Sequence, residues 1–452
     1  MSDLLLLEWL IIGLVGLELV RPFFKSIRDV SGFVLFPILA FLIVILIFKV
    51  HGFRPELIPL GLVSLLFSLA RIPQIFALFQ RLRFENEGTP SVTALVLGIL
   101  ILGISGGIAL MFIPKNDSFL TLNSIPIFET EIIQNTDGAS ELILRKYRTN
   151  STDSKATIVL VPPISGSVEV VDSICSALYE KNYSVITFSK PGLDIPAYDV
   201  SGKPVYPSVK TIIKYGLSMA AGLFLKTPNE FGRSIEDERL RDLVSVLNSL
   251  GNSGAVFIVG YGAGGAAAVR FVAENPDFPV AGLVNIEGPL YSVLEFNEVS
   301  EAASGITAVL QRMKPRTVNS IGPVPVLNKP VLILVSDAIR KTENRDGRYA
   351  TLVRLIHQDK APALLLAVSG AGPFDYSNVG LQYPLYSALM PGIGNRVHSA
   401  GYYIKTTTDL INNFICGIQT EKANETVPIN GDVHMEYNNY TTLYNPQEVL
   451  GK

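Results

Sequence analysis

The sequence predicts an α-helical membrane unit of about four transmembrane helices, followed by an α/β domain with a mainly parallel sheet. Three observations carry the prediction. Four apolar runs crowd into the first 115 residues. From about 128 to 418, short apolar runs alternate with helical patterns. A glycine-rich turn, VGYGAGGA (259–266), stands between a buried-strand pattern and a helix of small residues. Composition agrees: of 452 residues 48% are apolar and 17% charged, too apolar for an ordinary water-soluble chain of this length.

The apolar runs fall at about 4–20, 32–48, 57–72 and 92–114. Each is near the length a helix needs to cross roughly 30 Å of hydrocarbon. The fourth carries no charge. The first carries Glu8 and Glu18, which must face protein, pair, or sit near its ends. The third stops at Arg71 and Pro73 and is the shortest. No basic segment precedes the first run, so a cleaved signal peptide is a poor alternative. Basic residues set the orientation. Arg21, Lys25 and Arg28 follow the first run and Arg71, Arg81 and Arg83 the third, against Lys49, Arg54 and Lys115 on the other side. With four spans this places the large C-terminal domain outside the cytoplasm; without the third it inverts. The chain is thus expected to be a multi-pass membrane protein with lipid as its partner.

In the second part, ELILRKYRT (141–149) alternates like a strand, and ATIVLVPP (156–163) has the continuous apolar character of a strand buried on both faces. VEVVDSICSALYEK (168–181) has helical spacing, and YSVITFSKPG (183–192) is a strand entering a turn. SIEDERLRDLVSVLNSLG (234–251) is an amphipathic helix with Ser234 as its N-cap. GAVFIVG (254–260), AGLVNIEG (281–288), KPVLILVSD (329–337) and APALLLAVS (361–369) are further buried strands, and 397–418 is a closing helix. Such alternation argues for helices on both faces of a parallel sheet. The expected division is a membrane unit over 1–115, a linker over 116–138, the α/β domain over 139–418 with insertions at about 192–232 and 289–328, and a polar tail over 419–452.

A net charge of −3 leaves no basic footprint for nucleic acid. Two cysteines and four scattered histidines give no metal-ligand spacing, so neither a metal nor another cofactor is expected. Gly260, Gly262 and Gly265 do match the G-x-G-x-x-G spacing of a dinucleotide turn, with Glu287 placed 22 residues on as the ribose acid. That turn, however, falls on about the fourth strand, where such fingerprints sit on the first.

Four stretches of the α/β part resemble the α/β-hydrolase superfamily, closest in character to its platelet-activating-factor acetylhydrolase, chlorophyllase and dienelactone-hydrolase-like esterases. LVPPISGS (160–167) is similar to the loop that supplies an oxyanion-hole amide; GYGAGG (260–265) to the nucleophile elbow; NIEGPL (285–290) to a strand end bearing the triad acid; and SGAGPFDYSN (369–378) to the histidine loop. The resemblance implies an oxyanion-like pocket at Pro163, Ile164, Tyr261 and Ala263. At the nucleophile position it finds Gly262, at the histidine position Pro373, and where the pattern has Asp it finds Asn378. Glu287 and Asp337 keep the acid positions, but carboxylates alone cannot replace a nucleophile and its base. Ser165 or Ser167 as a displaced nucleophile, and His398 as a displaced base, are the available rescues. The reading is a fold retained without serine hydrolysis, holding a lipid-like or acylated ligand. The alternatives are a membrane-bound lipid esterase with a displaced nucleophile, and a membrane transport or signalling unit with a sensor domain. In this fold the helices carrying Cys175 and Cys416 cover one face of the sheet, which permits a disulfide outside the cytoplasm but does not require one.

Overall fold

The computed structural model describes residues 3–21, 24, 31–51, 57–80 and 103 of the N-terminal part. Beyond it, the structure describes 128–148, 154–163, 168–198, 204–205, 228–251, 255–296, 318–341, 348–378, 398–420 and 433–438, with 137, 139, 192, 195, 196, 360 and 373 left out. Two compact units result: residues 1–115 with 383–386, and the remainder.

The first unit contains α1 (Asp3–Val20), α2 (Phe36–His51), α3 (Ile58–Ala70) and α4 (Ile72–Phe79). Pro73 near the start of α4 accounts for the break at Arg71, because proline offers no N–H to a continuing helix. Ile11, Val15, Val44, Ile47 and Leu60 pack inside. Around them the distribution is inverted relative to a water-soluble bundle. Leu6, Leu42, Leu66 and Phe76 are exposed, whereas Glu8, Glu18 and Arg21 are buried. Glu18 Oε1 accepts from Arg71 Nε at 2.5 Å, and Arg21 lies 3.8 Å from the same carboxylate. Ser64 and Ser68 donate to the carbonyls of Leu60 and Ser64, so their hydroxyls are satisfied within α3.

Three of the four expected spans fall on these helices, but none reaches spanning dimensions. Among the described residues no helix is long and apolar enough to cross a membrane. The 18 residues of α1 include Asp3, Glu8 and Glu18, and the 16 of α2 and 13 of α3 rise only ~24 and ~20 Å. The fourth run, 92–114, lies outside the described residues apart from position 103.

In the second unit a sheet gathers the alternating runs. Its strands are β1 (Phe128–Gln134), β2 (Glu141–Tyr147), β3 (Thr157–Val161), β4 (Ser184–Ser189), β7 (Val256–Tyr261), β8 (Val280–Ile286), β11 (Val331–Ser336), β12 (Ala363–Val368) and β13 (Val433–Asn438). Short pairs, β5 (Ala197–Tyr198) with β6 (Pro204–Val205) and β9 (Leu294–Phe296) with β10 (Val318–Ile321), lie in the two insertions. The order is β1-β2-β4-β3-β7-β8-β11-β12-β13. The six strands from β4 to β12 run parallel, while β2 and β13 run against them and β1 pairs antiparallel with β2 at the edge. β7, β11 and β12 are buried along their whole length, which explains their unbroken apolar sequences.

Helices cover both faces. On one, α6 (Pro228–Ser249), α7 (Ala263–Glu274) and α9 (Arg348–Gln358) supply Leu243, Val269 and Leu355 to the core. On the other, α5 (Val168–Glu180) and α10 (Ala400–Thr420) supply Ile174, Leu178, Ile411 and Phe414. A short α8 (Asp337–Lys341) follows β11 directly. This mixed, mostly parallel sheet with its order of crossovers fits the α/β-hydrolase fold. β1 falls in the stretch expected to be linker, and β13 in the stretch expected to be tail. Both are edge strands, paired on one side only. The helices that carry the two cysteines do cover one face, as expected, and the cysteines are not joined in a disulfide.

Candidate functional site

The site is built on the carboxyl ends of β3, β7, β8, β11 and β12, where loops of a parallel sheet converge. At its centre β7 turns into α7 through Gly262, with φ 56° and ψ −123°. An L-residue adopts that conformation only under strain, and it is the one a nucleophile elbow imposes on its tip. The turn is held by Gly262 N–H donating to Ile286 O at 2.8 Å, and by Gly265 N–H returning to Gly262 O at 2.9 Å.

The flanking glycines follow from contact distances. A Cβ on Gly260 would stand 2.4 Å from Gly264 O, one on Gly264 2.3 Å from Val161 O, and one on Gly265 2.2 Å from Asn285 Oδ1. Strand, helix and neighbouring strands approach too closely for any side chain. These glycines are therefore explained by the packing of an elbow, without a phosphate for them to cradle. At Gly262 itself the added Cβ would meet, among the described residues, Pro163, with its Cβ at 3.3 Å and its Cα at 4.0 Å.

Around this turn the structure assembles most of the residues that sequence singled out. Glu287 follows β8, is buried, and has φ 54°, strained for a non-glycine. Its Oε1 accepts from Ser336 N–H at 2.7 Å. Asp337 opens α8, and its Oδ2 accepts from Gly370 N–H at 3.1 Å, tying the loop after β12 to the end of β11. Both acids thus clamp neighbouring backbone. Ala263 is the first residue of α7, and Pro163 sits at the end of the segment leaving β3. Ile164, Ser165, Ser167 and Pro373 lie outside the described residues.

Tyr261 points to the face covered by α5 and α10, with Ser377 as hydrogen-bond partner. Burial, and then the charge of Glu287, push its phenol far above the usual tyrosine range. The same two causes act on the fully buried Tyr376. Both remain neutral phenols and are poor nucleophiles. His398 lies just before α10, its ring 4.1 Å from that of Tyr402 and tilted by 35°, and its backbone N–H donates to Tyr403 OH at 3.3 Å. Asn378 Oδ1 accepts from Ser173 N–H at 3.1 Å in α5, a structural bond.

Sequence reasoning missed three groups here. Asn285 is buried and closes the turn after β8, donating to Gly288 O at 2.9 Å and accepting from Gly288 N–H at 2.8 Å. Asp375 is buried and accepts from Gly372 N–H at 2.8 Å. The third is a charged cluster, Lys190, Asp194, Arg239 and Asp242, on the turn after β4 and the inner face of α6. Burial alone would lower the Arg239 pKa; Asp194 and Asp242 more than offset it and hold the guanidinium charged. The signal was present in the sequence: Arg239 and Asp242 share a helix face with the apolar Leu243 and Val246.

Among known proteins, a family named TP_0976_N and described as an N-terminal domain matches residues 2–111. No curated protein matches the chain in sequence. Solved structures of similar fold are members of the α/β-hydrolase superfamily. A ferulic acid esterase from Streptomyces cinnamoneus has 16% identity and a TM-score of 0.45, over 69% of this chain and 95% of that one. The carboxylesterase CesB from Bacillus subtilis has 13% identity and a TM-score of 0.36, over 67% and 95%. A dienelactone hydrolase from Anabaena variabilis has 13% identity and a TM-score of 0.36, over 64% and 97%.

Proposed function

We propose that the chain is a membrane-anchored α/β-hydrolase-like protein whose C-terminal domain binds a lipid-like or acylated ligand without hydrolysing it. The observation that carries the reading is Gly262. The elbow keeps its backbone geometry, yet its tip has no side chain to attack a carbonyl. None of the chain's four histidines (His51, His357, His398 and His434) belongs to the 369–378 loop, where a base would approach that tip. Glu287 and Asp337 spend carboxylate oxygens on backbone N–H groups.

Anchoring is supported by the inverted N-terminal unit, where leucines face outward and the Glu18–Arg71 pair lies inward. Water would favour the opposite arrangement, whereas hydrocarbon favours this one. With four spans, the bias of basic residues toward the segments after the first and third apolar runs supports a location of the α/β domain outside the cytoplasm.

Two measurements on the detergent-purified full chain test the proposal. The chain is expected to float with phospholipid vesicles and to remain unlabelled by a fluorophosphonate probe. Labelling that disappears when Ser165 or Ser167 alone is changed to Ala would replace binding by hydrolysis through a displaced nucleophile. Failure to float would remove the anchor and leave the reading of the elbow standing.

A further inference from the structure

Beneath the elbow, five charged groups meet out of water. Arg239 is fully buried and grips Asp194 with both terminal nitrogens: Nη1 donates to Oδ2 at 3.0 Å, and Nη2 contacts Oδ1. Asp194 is fixed in turn by Lys190 N–H at 2.7 Å. Lys190 Nζ reaches Glu238 at 2.6 Å and Asp242 at 3.1 Å, and Asp242 also accepts from Asn135 Nδ2 at 2.6 Å. Buried ion pairs of this kind add little net stability, because desolvation offsets their attraction; what they supply is fixed geometry. The use of that geometry shows in one further bond. Arg239 Nη2 also donates to Pro163 O at 2.7 Å. Pro163 is the residue whose Cβ lies 3.3 Å from where a side chain on Gly262 would begin.

We infer that Arg239 is a positioning residue: anchored by Asp194, it holds the segment after β3 against the tip of the elbow, and so controls access to the position where a ligand would meet Gly262. The bond runs to a backbone carbonyl, so it fixes the chain path whatever side chain stands at 163. Its anchor comes from a different strand connection, so the place of Pro163 beside the tip depends on three separate segments: residues 162–163, the turn that carries Lys190 and Asp194, and α6. The inference concerns access and holds whether or not the site catalyses.

The test uses Gly262→Cys in the full chain with Cys416→Ser, so that the fully buried Cys175 remains as a native reference thiol. Thiol labelling is followed at each cysteine by peptide mass. With the cluster intact, Cys at 262 is expected to label slowly. Adding Arg239→Met, or Asp194→Asn, is expected to raise its rate at least tenfold while Cys175 is unchanged. Pro163→Gly should raise it as well, and Arg239→Met on top of Pro163→Gly should add nothing further. A rate at 262 that ignores Arg239, or one that rises in step with Cys175, would overturn the inference, the second by exposing general loosening of the domain. Should the Gly262→Cys chain fail to fold, amide exchange of the peptide spanning 157–163 serves instead. Arg239→Met must then accelerate it relative to a peptide from β11, and equal exchange in the two refutes the inference.

Discussion

The two units differ in what they expose and in where they bury charge. The N-terminal helices hide Glu8, Glu18 and Arg21 and expose Leu6, Leu42 and Leu66. The α/β domain hides Val, Leu and Ile on both faces of its sheet and buries the Asp194–Arg239 pair beside the turn that follows β4. The same amino-acid type has to be weighed by what surrounds it: a buried glutamate in the first unit is an interhelical tie, while in the second Glu287 ties the end of β8 to the end of β11.

The most severe way to break the contrast is to strip a charge from the inverted unit. Arg71→Ala leaves the buried Glu18 carboxylate without its closest cation and is expected to destabilise that unit by about 3–5 kcal/mol. Trp9, the chain's single tryptophan, reports the unit by fluorescence. Removing both partners, Arg71→Ala with Glu18→Ala, should cost less than Arg71→Ala alone. If the double variant is the worse of the two, the pair is not what holds α1 to the α3–α4 junction.

The second unit responds to pH. Tyr261 and Tyr376 are neutral phenols whose folded pKa values lie above those of the unfolded chain. Their contribution is fully present below about pH 10 and is lost as pH rises beyond it, because the unfolded phenols release protons that the folded ones keep. Each group then removes about 1.4 kcal/mol per pH unit, roughly 3 kcal/mol for the two. All 17 tyrosines lie at or beyond Tyr147, and all but Tyr383 and Tyr386 belong to the second unit, so phenolate absorbance reports mainly on this domain. Alkaline unfolding should therefore appear in the tyrosine signal before the Trp9 signal moves. Simultaneous change would mean that the units do not unfold independently.

What sequence made legible follows the same division. VFIVGY, VLILVS and ALLLAV are buried along their whole length, so composition alone marked them as central strands. The elbow glycines were legible because their spacing records close contacts between strand and helix. The edges were not. FETEIIQ and VHMEYN carry polar residues because each strand is paired on one side only. The start of α6 at Pro228 was missed because Ser234, a reasonable cap by local chemistry, lies inside a longer helix. Asn285 and Arg239 escaped for a further reason: their burial is compensated by partners that only the folded chain brings near. Arg239 and Pro163 are 76 residues apart in sequence. In the first unit the apolar runs were plain, but their use as full spans was not decided by hydropathy, since acids within α1 and the break at Arg71 shorten the uninterrupted apolar helix.

The smallest effects fall on the elbow, and they bear most directly on why its tip is a glycine. Gly264→Ala would drive a methyl to 2.3 Å from Val161 O, a backbone atom that cannot yield, and is expected to cost about 3 kcal/mol. Among the described residues Gly262→Ala meets Pro163, whose Cβ at 3.3 Å must give by a few tenths of an ångström, and otherwise carries the strain of φ 56°. That strain is about 1–2 kcal/mol for an L-residue. The ordering of the two variants in thermal unfolding therefore distinguishes two kinds of glycine within one turn. If Gly262→Ala is the milder, the fold tolerates a side chain at the tip, and the absence of a nucleophile there belongs to function. If the two are equally damaging, packing alone forbids a side chain at 262, and the glycine says nothing about the chemistry of the site.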